Sequence, residues 1–153
     1  MVNFLIGIHA AFGELGIFAF LWCLVEIINI NEQRIKRAKI AALIGTFFII
    51  LSWIFGGFYY TNYYGNEVKP IIKEGPIPWA HNVIMEAKEH IFLFLPFLSI
   101  LSTAILFKKS KNLDKYKKGL IILIAIIILI GFTMAGMGYL ISTGARAGLE
   151  AKI

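Results

Sequence analysis

Residues 119–144 read GLIILIAIIILIGFTMAGMGYLISTG, a run without a single charged side chain. A helix that crosses the hydrocarbon core of a bilayer needs about 20 consecutive apolar residues, and this run exceeds that length. Working outward, three more runs have the same character, at about 2–30, 40–61 and 80–107. None alternates strictly as a barrel strand does, and a helix satisfies its own backbone hydrogen bonds in lipid. Short links between successive runs predict an all-α integral membrane four-helix bundle with up-down-up-down topology. Residues 1–153 are then one transmembrane domain.

Composition agrees. The chain is 59% hydrophobic and 16% charged, against about 45–50% and about 25% in soluble domains. Disorder, collagen and low-complexity linkers are excluded. The single Cys23 excludes a disulfide framework and a CxxC motif. The net charge of +6 is concentrated: Arg34, Lys36, Arg37 and Lys39 occupy one link and six lysines fall in 108–118. Basic clusters at helix ends orient a chain in the membrane, so both links are expected to be cytoplasmic and nucleic acid is not an expected partner. The 61–79 segment, punctuated by Gly65, Pro70, Gly75, Pro76 and Pro78, is expected to be an outer loop, with both termini on its side. Its tyrosines (Tyr59, Tyr60, Tyr63, Tyr64) and Trp79 suit an interfacial belt. The N-terminus reads as the first span and not as a cleaved signal. The expected setting is a prokaryotic cell membrane, crossed several times.

Ionisable side chains at membrane depth are costly, so each marks a candidate site. They are His9, Glu14 and Glu26 in the first run and His81, Glu86, Lys88, Glu89 and His90 in the third. Counting inward from the basic links puts His9 and His90 within about 3 Å of the same depth. The first and third helices of an up-and-down bundle are diagonal, roughly 12–14 Å apart. Two imidazoles bonded to one iron at about 2 Å each, on side chains of roughly 5 Å, span that distance. His9 and His90 are therefore expected to hold one haem b near the outer face.

Gly13 and Gly16 share the His9 face, Gly57 lies near the same level, and Met137 stands between Gly136 and Gly138. Glycine lets a backbone approach a flat ring closely. Phe94 and Phe97, below His90, are expected to pack on it. The stripe Gly131, Ala135 and Gly138 equally suits helix packing in lipid. Glu86 lies one turn outward of His90 and is expected to handle a proton without ligating iron. Glu14 points about 140° from His9, toward another interface or a second function. His81, about 180° from His90, reads as a wet interfacial histidine, a propionate contact or a proton acceptor. Lys88 and Arg146 either neutralise propionates or snorkel to headgroups.

Level histidines on the first and third helices, flanked by glycines, resemble the membrane b-type cytochromes. The segment Gly7-Ile8-His9-Ala10-Ala11-Phe12-Gly13-Glu14-Leu15-Gly16, with Glu26 beyond it, is similar to the histidine-bearing first helix of quinol-oxidising cytochromes. The resemblance covers about one helix in detail. It implies a single haem b, because the common dihaem members use two pairs of histidines and only one pair is level here.

Two strong imidazole ligands leave no open iron position, which favours electron transfer. The leading expectation is an electron-transfer subunit passing electrons between a quinol and a periplasmic or neighbouring redox protein, within a larger membrane complex. The bilayer, a quinone and that redox protein are its expected partners. A non-haem metal protein is the second reading, with Glu86 and His90 on one face and His9 and Glu14 as further ligands. It lacks the duplicated Glu-x-x-His of di-iron bundles. The third is a cofactor-free assembly subunit or proton-coupled carrier using Glu14 or Glu86.

Overall fold

The computed structural model describes residues 2–109 and 112–152. Regular structure in them is helical: α1 (Val2–Ile28), α2 (Glu32–Tyr59), a π-helical stretch (Tyr60–Val68), α3 (Lys69–Glu74), a second π-helical stretch (Ala80–Met85), α4 (Glu86–Phe92), α5 (Phe94–Lys108) and α6 (Leu113–Glu150). Among the described residues, four helical stretches are long and apolar enough to cross a membrane: Phe4–Ile28, Glu32–Glu74, Ala80–Lys108 and Leu113–Glu150. The chain has the make-up of a multi-pass membrane protein.

The links are shorter than the charge pattern predicts. The basic segment after Asn31 is already the first turn of α2, because the Asn31 side chain accepts a hydrogen bond from the Arg34 amide at 2.8 Å and caps the helix. The stretch expected as an outer loop continues in π and α register to Glu74. Pro70 is tolerated there because it stands in the first turn of α3, where a missing N–H removes no helical bond. The third span is interrupted at Leu93, just before Pro96, which cannot donate back to the preceding turn.

α1 packs along α2 and α6, α2 along α5, and α5 along α6. Small residues set these distances. A Cβ on Gly16 would stand 2.8 Å from the Ile49 side chain and 3.2 Å from its backbone nitrogen. One on Gly45 would stand 2.7 Å from the Phe20 ring. One on Gly131 would meet Ile17 at 2.6 Å. Phe20, Ile27, Ala38, Ala41, Leu106, Leu120, Ile124 and Ile127 form the buried core between the helices, while Phe47, Phe97 and Leu129 are exposed on the outside. That inversion of bulk suits a chain solvated by lipid, where close backbone approach and not apolar burial drives helix association. Hydroxyls join α2 to α5: Thr46 and Thr103 share a hydrogen bond at 2.8 Å, and Thr103 donates to the Ala42 carbonyl.

One charged group closes the α1–α2 turn. The Glu26 carboxylate accepts from Arg37 at 2.8 and 3.0 Å, from Arg34 at 3.1 Å and from the Trp22 indole at 3.1 Å. Glu26 thereby ties the end of α1 to the basic first turns of α2. Nearby, the Lys39 ammonium lies over the Phe107 ring at 5.1 Å, so the α1–α2 and α5–α6 links share one end. A second core of Tyr64, Ile72, Ala80 and Ile141 sits about 40 Å further along α6. There α3 crosses α6 so closely that a Cβ on Gly75 would stand 2.7 Å from Gly148 Cα.

The glycines expected to cradle a ring thus divide. Gly16 is filled by its neighbours, whereas a Cβ on Gly57 would meet nothing within 4 Å. Gly16→Val should lower unfolding free energy in detergent by about 1–3 kcal/mol through overpacking. Gly57→Ala should leave stability unchanged or raise it by about 0.5–1 kcal/mol. Thermal denaturation of the two variants beside the parent checks both.

Candidate functional site

Two of the polar side chains of the third span, His81 and Glu86, meet where the chain leaves ordinary α register. In the π-helical stretch beginning at Ala80 a turn holds about one residue more than in an α-helix, which stacks residue i on residue i+5. His81 therefore meets Glu86: its Nε2 lies 3.6 Å from the Glu86 carboxylate. On the other side of the ring the Tyr64 hydroxyl, carried in by the first π-helical stretch, lies 2.9 Å from Nδ1. With Nε2–H toward the carboxylate, Nδ1 accepts and the phenol donates. The imidazole and Tyr64 are each 2% exposed, while the Glu86 side chain is half exposed. A buried histidine thus bridges a buried phenol and a carboxylate open to the surroundings.

The cluster extends across the tyrosines. The Tyr60 ring stacks on Tyr64 at 5.5 Å between centroids, and the Tyr60 hydroxyl lies against the Glu89 carboxylate. Glu89 Oε1 is buried and has no hydrogen-bond partner among the described residues. An unpaired buried carboxylate oxygen is costly unless it takes up a proton or a donor. Tyr60 and Tyr64 are absent from the sequence-based site because adjacent aromatics near a helix end read as an interfacial belt. The signal for them is the i, i+4 spacing of the two tyrosines combined with the i, i+3 spacing of Glu86 and Glu89, which puts each pair on one helical face.

The histidines expected to share an iron lie apart. The His9 Nδ1 donates to the Ser52 carbonyl at 2.8 Å, with the Ser52 hydroxyl 3.0 Å away. Its ring lies where a Cβ on Gly56 would be, 2.6 Å from Nδ1. The edge of Phe92 meets that ring at 5.7 Å between centroids. His90 stands two residues before Phe92, about 200° around α4, and is exposed. Its Nδ1 donates to the Glu86 carbonyl at 2.6 Å. Phe94 and Phe97 share its outward face, 60% and 70% exposed. Gly13 faces the Ser52 hydroxyl, 3.2 Å from the position of its Cβ, and Met137 is half-buried against the core. Glu14 is exposed in a groove between α1 and α6 lined by Ile17, Phe18, Phe132 and Ala135.

Of the sequence-predicted residues, the structure brings together His81 and Glu86. It does not bring His9 to His90. No group of three or more His, Cys, Asp or Glu side chains among the described residues is placed to hold a metal ion. Comparison with protein-family models, with curated proteins and with solved structures gave no match.

Tyr64→Phe removes the donor from a buried imidazole nitrogen and should cost about 1–3 kcal/mol of stability. Tyr139→Phe, at a position 67% exposed, should stay within about 0.5 kcal/mol of the parent. Denaturation midpoints of the two variants make the comparison.

Proposed function

We propose that this multi-pass membrane protein transfers protons through the Glu86–His81–Tyr64 cluster at one end of an up-down-up-down bundle. The observation that carries the reading is a buried imidazole with a carboxylate on one ring nitrogen and a phenol on the other. Such a ring can relay a proton: Nδ1 takes one from the Tyr64 hydroxyl as Nε2–H gives one to Glu86, which reaches the surroundings, and the same two transfers in reverse carry a proton inward. The stacked Tyr60 and the buried Glu89 oxygen supply the next acceptor inward. A carboxylate–histidine–tyrosine chain inside a membrane is the class of group that proton-coupled proteins place on their path. The positive-inside rule then puts the two basic links in the cytoplasm and the cluster on the outer side.

The test is proton flux into vesicles carrying the purified protein, read by an enclosed pH-sensitive dye under an imposed potential. The parent should exceed protein-free vesicles. His81→Gln and Glu89→Gln should each lower the excess by at least about tenfold, the loss expected when a positioned proton carrier is removed. Flux equal to protein-free vesicles, or unchanged in both variants, overturns the reading. Labelling of cysteines placed at Lys36 and Lys115 from the outer side, with none at Lys69, would reverse the orientation.

A second reading is an electron-transfer subunit with one haem b on His9 and His90, taking electrons from a quinol. One observation favours it: both Nδ1 atoms donate to backbone carbonyls, the arrangement that orients metal-bound histidines and leaves Nε2 free. It requires the His90 face to turn from the outside toward α1 past Phe92. The visible spectrum decides. A Soret band lost in both His9→Ala and His90→Ala establishes it, and a colourless protein from haem-supplemented cells removes it.

A further inference from the structure

Lys88 is a partly buried cation that the proton path leaves unused. It leaves α4 on a different side from Glu89 and is directed at α6, where its ammonium lies 3.2 Å from the position a Cβ would take on Gly138. The absence of a side chain at Gly138 makes room for it. The side chain is mostly buried, and no hydrogen bond or ion pair among the described residues reaches its nitrogen. Its charge is felt by His9 across the interior. The His9 imidazole has its Nδ1 hydrogen committed to Ser52 and brings no negative charge. An isolated ammonium at such a place is strongly disfavoured without a counter-charge.

We propose that Lys88 anchors a binding site for a singly charged carboxylate in the interior between α4 and α6. One uncompensated positive charge is balanced by one negative charge, whereas a phosphate monoester brings about −1.5 to −2. Depth selects the rest of the ligand. Lys88 lies about 13 Å along the helix from Trp79, which is exposed at the membrane-interface end of the span, and Phe92 one turn further on offers an apolar wall. A carboxylate on a hydrocarbon chain reaches this depth from the bilayer, and a small dissolved carboxylate reaches it from the outer side. This site is independent of the proton path.

Thermal unfolding of the detergent-purified protein in chloride buffer, with added laurate or acetate, tests it. At a concentration near 100 times its dissociation constant the ligand should raise the midpoint by about 5–10 °C. Lys88→Met should lose that shift, and Lys88→Arg, which keeps the charge, should retain it even if the methionine variant folds poorly. A response to laurate at tenfold or more below the acetate concentration assigns the carboxylate to a bilayer amphiphile. Equal responses assign it to a dissolved anion. The proposal is overturned if neither carboxylate shifts the midpoint, if dodecanol shifts it as far as laurate does, or if Lys88→Met responds like the parent.

Discussion

The close contact of α1 with α2 sets the position of the polar groups along their shared face. Gly16 and Gly45 let the two backbones meet where any side chain would collide with Ile49 or Phe20. Two turns further along, the same approach seats the His9 ring on Gly56 and lets Ser52 bond both the ring and the His9 carbonyl. Lipid offers no hydrophobic drive to hold helices together, so this contact rests on dispersion between closely fitted backbones and on the few hydrogen bonds it permits. Spread α1 from α2 and the interior that receives Phe92 from α4 opens with it.

Ionisable groups are divided between two ends and a thin band near one of them. At the end of the basic links, Glu26 gathers two arginines and an indole, closing the α1–α2 turn. At the other, His81 and Glu89 meet tyrosines carried by a π-helical stretch, and Glu86 meets His81. Between them the polar contacts include hydroxyls turned onto carbonyls of their own or a neighbouring helix. Apolar surroundings make each remaining hydrogen bond electrostatically stronger and each missing one more expensive. The buried Glu89 oxygen and the lone Lys88 ammonium are therefore where chemistry or a ligand is to be sought.

Helical-wheel reasoning names His81, Glu86 and Lys88 among the costly residues. It assigned faces by assuming about 100° per residue throughout the third span. The chain breaks that assumption between Ala80 and Met85, where the wider π turn rotates one set of side chains relative to the next. His81 and Glu86 are brought together as a result, and the α4 face bearing His90 looks outward. Gly13 and Gly16 carried a similar ambiguity. A glycine that admits a ring and a glycine that admits a neighbouring helix are identical in sequence, and what stands opposite separates them.

From the sequence alone follow the membrane setting, the helical class, the four spans and the short set of residues whose presence in lipid needs a reason. These are properties of single segments: run length, absence of charge, and basic residues between runs. Tertiary structure alone decided which of those residues meet. Pairing depends on the rotation of each helix about its axis, and that rotation is set by close contacts at Gly16, Gly45 and Gly131 and by the π turns. Neither leaves a periodic trace in the sequence, because each is a local fit between surfaces distant along the chain.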